Sequence, residues 1–141
     1  YAHIISPHTP YLFTSSGNIN YDWEQDPRAS ARSTYEYLNQ RMVEVLSTII
    51  SDSEIEPVII LQSDHGDGEG GYRNLILNAY YLPDGGSASL YPAVTPVNTF
   101  RLIFNHYLGM DFSFLDDLGY YSPENDRYNF EIIEDPYDRC R

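Results

Sequence analysis

Val58-Ile59-Ile60-Leu61-Gln62-Ser63-Asp64-His65-Gly66 decides how this chain is read. Four apolar residues in a row predict a strand over 58–63 that is buried on both faces, as in a parallel sheet. The strand runs straight into a carboxylate, an imidazole and a glycine. Where the chain bends, the alternation of side chains is lost, so Asp64 and His65 can both turn toward one cation. Gly66 permits the tight exit. One oxygen and one nitrogen donor suit Zn or Mn better than Ca or Mg. The competing reading is an Asp–His hydrogen bond that caps the loop.

Upstream, Tyr35, Leu38, Met42, Val45, Leu46 and Ile49 recur at helical spacing, with Glu36, Gln40, Arg41 and Glu44 on the other face. This predicts a helix over 31–52, capped by Ser30 or Ser33. Residues 1–6 read as a strand that stops at Pro7, and Pro7 and Pro10 fix the backbone around His8 and Thr9. Residues 14–30 are polar and read as a surface loop long enough for a functional role. Downstream, 64–71 is a loop with four glycines and three acids, 75–82 another strand, and 83–86 a turn. A helix is expected over 97–107, with Thr95 as its cap, Pro96 in its first turn and an apolar stripe of Phe100, Ile103, Phe104 and Tyr107. Residues 111–141 are rich in Asp, Tyr and Pro and read as a tail with little regular structure, packing on residues 1–110. No internal repeat or clear linker is visible. The order of elements is an α/β pattern: a mostly parallel sheet with flanking helices. The loops at 7–10 and 64–71 both follow strands, which places them on one edge of that sheet, where active sites of such folds lie.

Composition narrows the function. The 141 residues fit one domain or a large piece of one, and 42% are hydrophobic, enough for a core. The net charge is -13, and all eight basic residues are Arg. Such a surface repels nucleic acid. A small anionic substrate would need local help from a metal or an Arg cluster. Cys140 is the only cysteine, so no disulfide forms within the chain. No apolar run of about 18 residues occurs, so no membrane contact is expected from this segment. The abrupt start at Tyr1-Ala2-His3 reads as a piece of a longer protein, with any targeting signal upstream. A sheet edge exposed by such a cut would favour self-association.

Other residues carry weaker signals. His8, held between prolines, can donate to an oxyanion or bind a metal, or simply sit exposed on a rigid loop. His3 lies within the first strand and reads more simply as a core histidine. Asp67-Gly68-Glu69-Gly70-Gly71 resembles a calcium loop in composition but lacks EF-hand spacing. Arg73 can bind an anion, although a plain surface Arg is the commoner case. His106 falls on the second helix as a packing or surface residue. No nucleophile elbow, Walker loop or dinucleotide fingerprint occurs.

The 58–66 stretch resembles the metal-binding strand of the alkaline phosphatase superfamily, closest to its sulfatase-like branch of lipoteichoic acid synthases and phosphoethanolamine transferases. His3 with Pro7-His8-Thr9-Pro10-Tyr11 is similar to that branch's upstream His and Pro-His-x-Pro segment. The intervening helix over 35–50 is similar to the helix that branch places between them, and Tyr91-Pro92-Ala93-Val94-Thr95-Pro96-Val97-Asn98-Thr99-Phe100 to its later Tyr-Pro-then-helix segment, so the likeness runs from His3 to Tyr107. It implies a three-layer α/β fold of which 1–110 is the C-terminal part of the catalytic domain. It also implies a divalent metal, Mn or Zn before Ca, on Asp64 and His65, with His8 toward the phosphate or sulfate of an anionic ester substrate; His3 and Arg73 are further candidates for contact with that substrate. The parent would be a phosphoryl- or sulfuryl-ester hydrolase or transferase, membrane-anchored or extracytoplasmic. Its nucleophile belongs to an upstream half, so this chain alone is expected to be inactive and to bind metal weakly. Two departures stand out: there is no Lys of the kind arylsulfatases use, and no second His follows Asp64-His65-Gly66. The alternative function is a non-catalytic relative that binds a glycan or a protein.

Overall fold

The computed structural model describes residues 1–66 and 73–133. The glycine- and acid-rich run 67–71, the end of the tail at 134–141 and Cys140 lie outside the described residues. The chain divides into two compact units, Tyr1–Ile55 and Glu56–Arg141.

The first unit is built on helix α1, Pro27–Asp52. It starts four residues before the expected 31, because the start signal is Asp26-Pro27. The Asp26 carboxylate accepts from the Ala29 amide at 3.0 Å, and Pro27 opens the first turn. Ser30 and Ser33 are therefore not caps. They lie in the first two turns and bind the preceding loop. Asn20 donates to Ser30 Oγ at 3.0 Å, and the Ser15 amide donates to Ser33 Oγ at 2.6 Å. Thr34, fully buried, donates to the Phe13 carbonyl at 2.8 Å. The 14–30 stretch is thus not a plain loop: Phe13 and Ile19 form a bridge, and Phe13 packs on Tyr37 at 5.1 Å. Further along the helix, Val43, Val45 and Ile49 of α1 are exposed. Residues 1–6 form no strand, and Tyr1, Ile4 and Ile5 are exposed. Their apolar, β-branched run has no neighbour among the described residues to complete a ladder.

The second unit contains strands β1, Ile59–Gln62, and β2, Asn78–Tyr81, then a 3-10 turn, Gly86–Ser89, and helix α2, Pro96–Leu108. A short hairpin follows: β3, Gly119–Tyr121, with β4, Glu131–Ile133. The expectation of a mostly parallel, three-layer α/β sheet is overturned. β1 pairs with β2 antiparallel, Ile59 opposite Tyr81 and Gln62 opposite Asn78, and β3 pairs with β4 antiparallel. A parallel neighbour needs a crossover of a dozen or more residues that carries the chain back to the same end. Here the chain turns straight back instead: Ser63 donates to the Leu77 carbonyl at 3.0 Å, and Gly66 to that of Arg73 at 2.8 Å. Nor is β1 buried on both faces, since Val58 and Gln62 are exposed.

The core of this unit is Leu82, Leu102 and Ile103, with Ile60, Tyr80, Leu90 and Tyr107 packed around it. Ile60 and Tyr80 are cross-strand partners, so the inward face of the sheet meets α2 through one pair. Helix α2 follows its expected bounds to within one residue. Pro96 opens it, and Gly109 closes it at φ 62, a left-handed C-cap whose amide donates to the Phe104 carbonyl. Of the expected stripe, Ile103 is in the core and Tyr107 packs against it. Asn98, Thr99, Leu102 and Ile103 are buried, while Phe100 and Phe104 are exposed. Gly86 allows a close approach: the Tyr107 hydroxyl occupies the place of a side chain there while donating to the Pro83 carbonyl at 2.6 Å. No described helix is long and apolar enough to cross a membrane.

Candidate metal centre and a polar network

Asp64 and His65 follow β1 directly, and both are exposed, with 86% of the Asp64 side chain open to solvent. The sheet holds the segment on which they sit. Besides the Ser63 amide bond to Leu77, the Leu77 amide donates to Ser63 Oγ at 2.9 Å. His65 lies 2.8 Å from the Gly66 carbonyl through Nδ1. A carbonyl only accepts, so the proton sits on Nδ1. In the neutral ring this leaves the Nε2 lone pair free to act as a ligand. Nε2 lies 3.6 Å from Asp64 Oδ2. That is too long for a hydrogen bond. It is close to the separation of about 3.4 Å expected of two donors on one tetrahedral cation with bonds of about 2.1 Å. The carbonyl behind Nδ1 is the kind of outer partner that fixes metal-binding histidines. The pair fits a divalent cation as two of its ligands. Among the described residues no group of three or more His, Cys, Asp or Glu side chains is gathered.

The other residues singled out in the sequence are distributed as follows. His3 and His8 lie in the first unit and are exposed, and His8 Nδ1 donates to the Thr9 carbonyl at 2.6 Å. Arg73 lies in the second unit and is exposed. His106 stacks edge-on against Tyr107, and its Nε2 lies 3.1 Å from the Asp84 carbonyl. It is a surface residue tying the end of α2 to the 83–86 turn.

A second constellation went unread in the sequence. Asp117 accepts from the Thr95 amide at 2.8 Å, from Thr95 Oγ1 and the Tyr91 hydroxyl at 2.6 Å each, and from Asn98 Nδ2 at 3.0 Å. Asn98, fully buried, also bonds Leu115 through both of that residue's backbone groups, accepting from N at 3.0 Å and donating to O at 2.8 Å. Thr95 starts the helix as expected, but its side chain makes no cap bond; its hydroxyl goes to Asp117. The carboxylate does the capping from 22 residues away, at the positive end of α2. A signal was present in Tyr91, Thr95-Pro96 and Asn98, three hydrogen-bonding side chains around a helix start. Their common partner lies in the tail and could not be named. The cluster is saturated with its own partners, so it holds the 111–118 segment on the helix rather than offering a ligand site.

Burial pushes the Asp117 carboxyl up, but the hydrogen bonds from Thr95, Tyr91 and Asn98 outweigh it, and the group ends below its ordinary 3.8. Burial and the Asp117 hydrogen bond raise Tyr91. A carboxyl whose folded pKa is depressed contributes stability that is complete above the unfolded pKa and lost as pH falls through the folded one. The stability gap between the native chain and Asp117→Asn, measured by urea unfolding, is therefore expected to stay level from pH 7 to about 5. It then narrows below 3.8. A gap that does not change with pH in that acid range would show that the carboxylate's charge plays no part.

No protein-family model, curated protein or solved structure matches the chain.

Proposed function

We propose that Asp64 and His65 are two ligands of a divalent cation, Mn or Zn before Ca, in a phosphoryl- or sulfuryl-ester hydrolase or transferase. The observation that carries this reading is the orientation of His65. Its Nδ1 is engaged by the Gly66 carbonyl, and its Nε2 is turned toward Asp64 at a ligand-to-ligand distance. The likeness of 58–66 to the metal-binding strand of sulfatase-like enzymes supports the reaction class. When bound, the cation supplies Lewis acidity toward an ester oxygen. The chain's own part is to hold an imidazole in one tautomer beside a carboxylate, on a loop fixed to the sheet at Ser63 and Leu77.

The test is Mn²⁺ binding to the full-length protein, followed by the electron paramagnetic resonance of the ion. Loss of outer-shell partners alone weakens metal sites 10- to 100-fold. Asp64→Ala with His65→Ala is therefore expected to weaken binding roughly 100-fold or more. Binding that the double variant leaves unchanged would sink the proposal. A second reading, a non-catalytic module for a glycan or protein, is favoured by the outer face of β3–β4. There Tyr120 and Phe130 stand edge to face at 6.5 Å, both exposed. A full-length protein that binds no Mn²⁺ or Zn²⁺ would favour that reading.

A further inference from the structure

We infer that Arg73 is the anchor for the charged group of the substrate, a tetrahedral phosphoryl or sulfuryl oxyanion held beside the Asp64–His65 pair; this rests on the metal reading of that pair.

The argument starts from Gly66. Its carbonyl accepts from His65 Nδ1 at 2.8 Å, and its amide donates to the Arg73 carbonyl at 2.8 Å. One residue therefore ties both the imidazole and the arginine. A backbone bond of this kind brings two chain segments to about 5 Å, the spacing of hydrogen-bonded neighbours. Residues eight apart in sequence, His65 and Arg73, are thereby held at one end of the sheet. The clasp lies three residues beyond Ser63 and four before Leu77, the pair whose two bonds follow the end of the ladder.

The second observation concerns charge. The chain has 21 acidic residues against eight basic ones, so its cations are scarce. Arg32 pairs with Glu36 and Arg41 with Glu44 on α1. Arg73 is exposed and makes no ion pair or side-chain hydrogen bond among the described residues. Among the described residues no acidic side chain takes its five donors, which form a fork that matches phosphate and sulfate geometry. In a field as negative as that of this chain, an anionic substrate needs a local cation, and Arg73 supplies one next to the two metal ligands. It also meets the departure noted in the sequence, the lack of any Lys to contact the transferred group.

The experiment uses the full-length protein loaded with Mn²⁺ and titrates inorganic phosphate and, separately, sulfate by calorimetry. Arg73→Ala is expected to leave Mn²⁺ affinity and the circular dichroism spectrum unchanged while weakening whichever anion binds at least tenfold. Arg73→Lys keeps the charge but loses the fork, and is expected to fall between the two. Anion affinity that is the same in Arg73→Ala as in the native protein, or absent from the native Mn²⁺-loaded protein, would overturn the assignment of Arg73 and leave the metal ligands standing. Failure of the native protein to bind Mn²⁺ would instead overturn the metal reading, and this inference with it.

Discussion

Asn98→Ala is expected to lower the free energy of unfolding by about 3 kcal/mol, through the loss of partners for buried polar groups. Asn98 is 0% exposed, and its amide joins α2, Tyr91, Leu115 and Asp117 at one point. Alanine at this position leaves the Leu115 amide and carbonyl without their partners and takes one donor from the Asp117 carboxylate. A group stranded in this way costs about 1–3 kcal/mol, more than the bond itself contributes when made. Asn98→Asp is a sharper test, because shape is kept while a second carboxylate is set against Asp117. It is expected to be at least as damaging at neutral pH and to recover in part as the medium is acidified. Urea unfolding followed by circular dichroism reads both variants. A loss below about 1 kcal/mol for Asn98→Ala would mean that water replaces the amide at no great cost, contrary to the burial of the site.

The second large effect tests which face of α2 is inward. Leu102 is 2% exposed and belongs, with Leu82 and Ile103, to the small core. Leu102→Ala is expected to cost about 3 kcal/mol, from lost transfer energy and the cavity left behind. Phe100, two positions away, belongs to the stripe that the sequence marks as apolar, yet it is 54% exposed. Phe100→Ala is expected to stay within about 0.5 kcal/mol of the native chain, as exposed positions do. Equal losses at the two positions would mean that the helix buries the aromatic stripe after all. The contrast is informative because the core is so small: among the described residues three apolar side chains are buried in it, with Ile60, Tyr80, Leu90 and Tyr107 packed against them.

The misreading of α2 has a physical cause. A periodicity analysis weighs residues by hydrophobicity, and Phe100 and Phe104 dominate it, although of the stripe only Ile103 and Tyr107 reach the core. The helix instead turns a mixed face inward, Asn98 and Thr99 beside Leu102 and Ile103, because the tail and β2 supply hydrogen-bonding partners for the polar half. Tyr80 and Thr99 join hydroxyls at 2.7 Å, and Leu115 and Asp117 meet Asn98. In α1 the same bias hid the roles of Ser30, Ser33 and Thr34, which face the 13–20 segment through hydrogen bonds. The candidate metal pair was legible for the opposite reason. Asp64, His65 and Gly66 are adjacent, and their relevant geometry is made within three residues.

What the amino-acid sequence determined alone is local. Asp26-Pro27 and Thr95-Pro96 start the helices, Gly109 stops the second, and the apolar runs near 59–62 and 78–81 become strands. Each of these rests on sterics or hydrogen bonds reaching no further than a turn or a pleat. Tertiary structure decided whatever depends on which distant segment arrives as a partner. It made β1 and β2 antiparallel, gave Thr95 and Asn98 a carboxylate from position 117, and brought Arg73 back to Gly66. A strand's own residues carry its propensity but not the direction of its neighbour. That direction is set by the path between the strands, and here the path returns without a crossover.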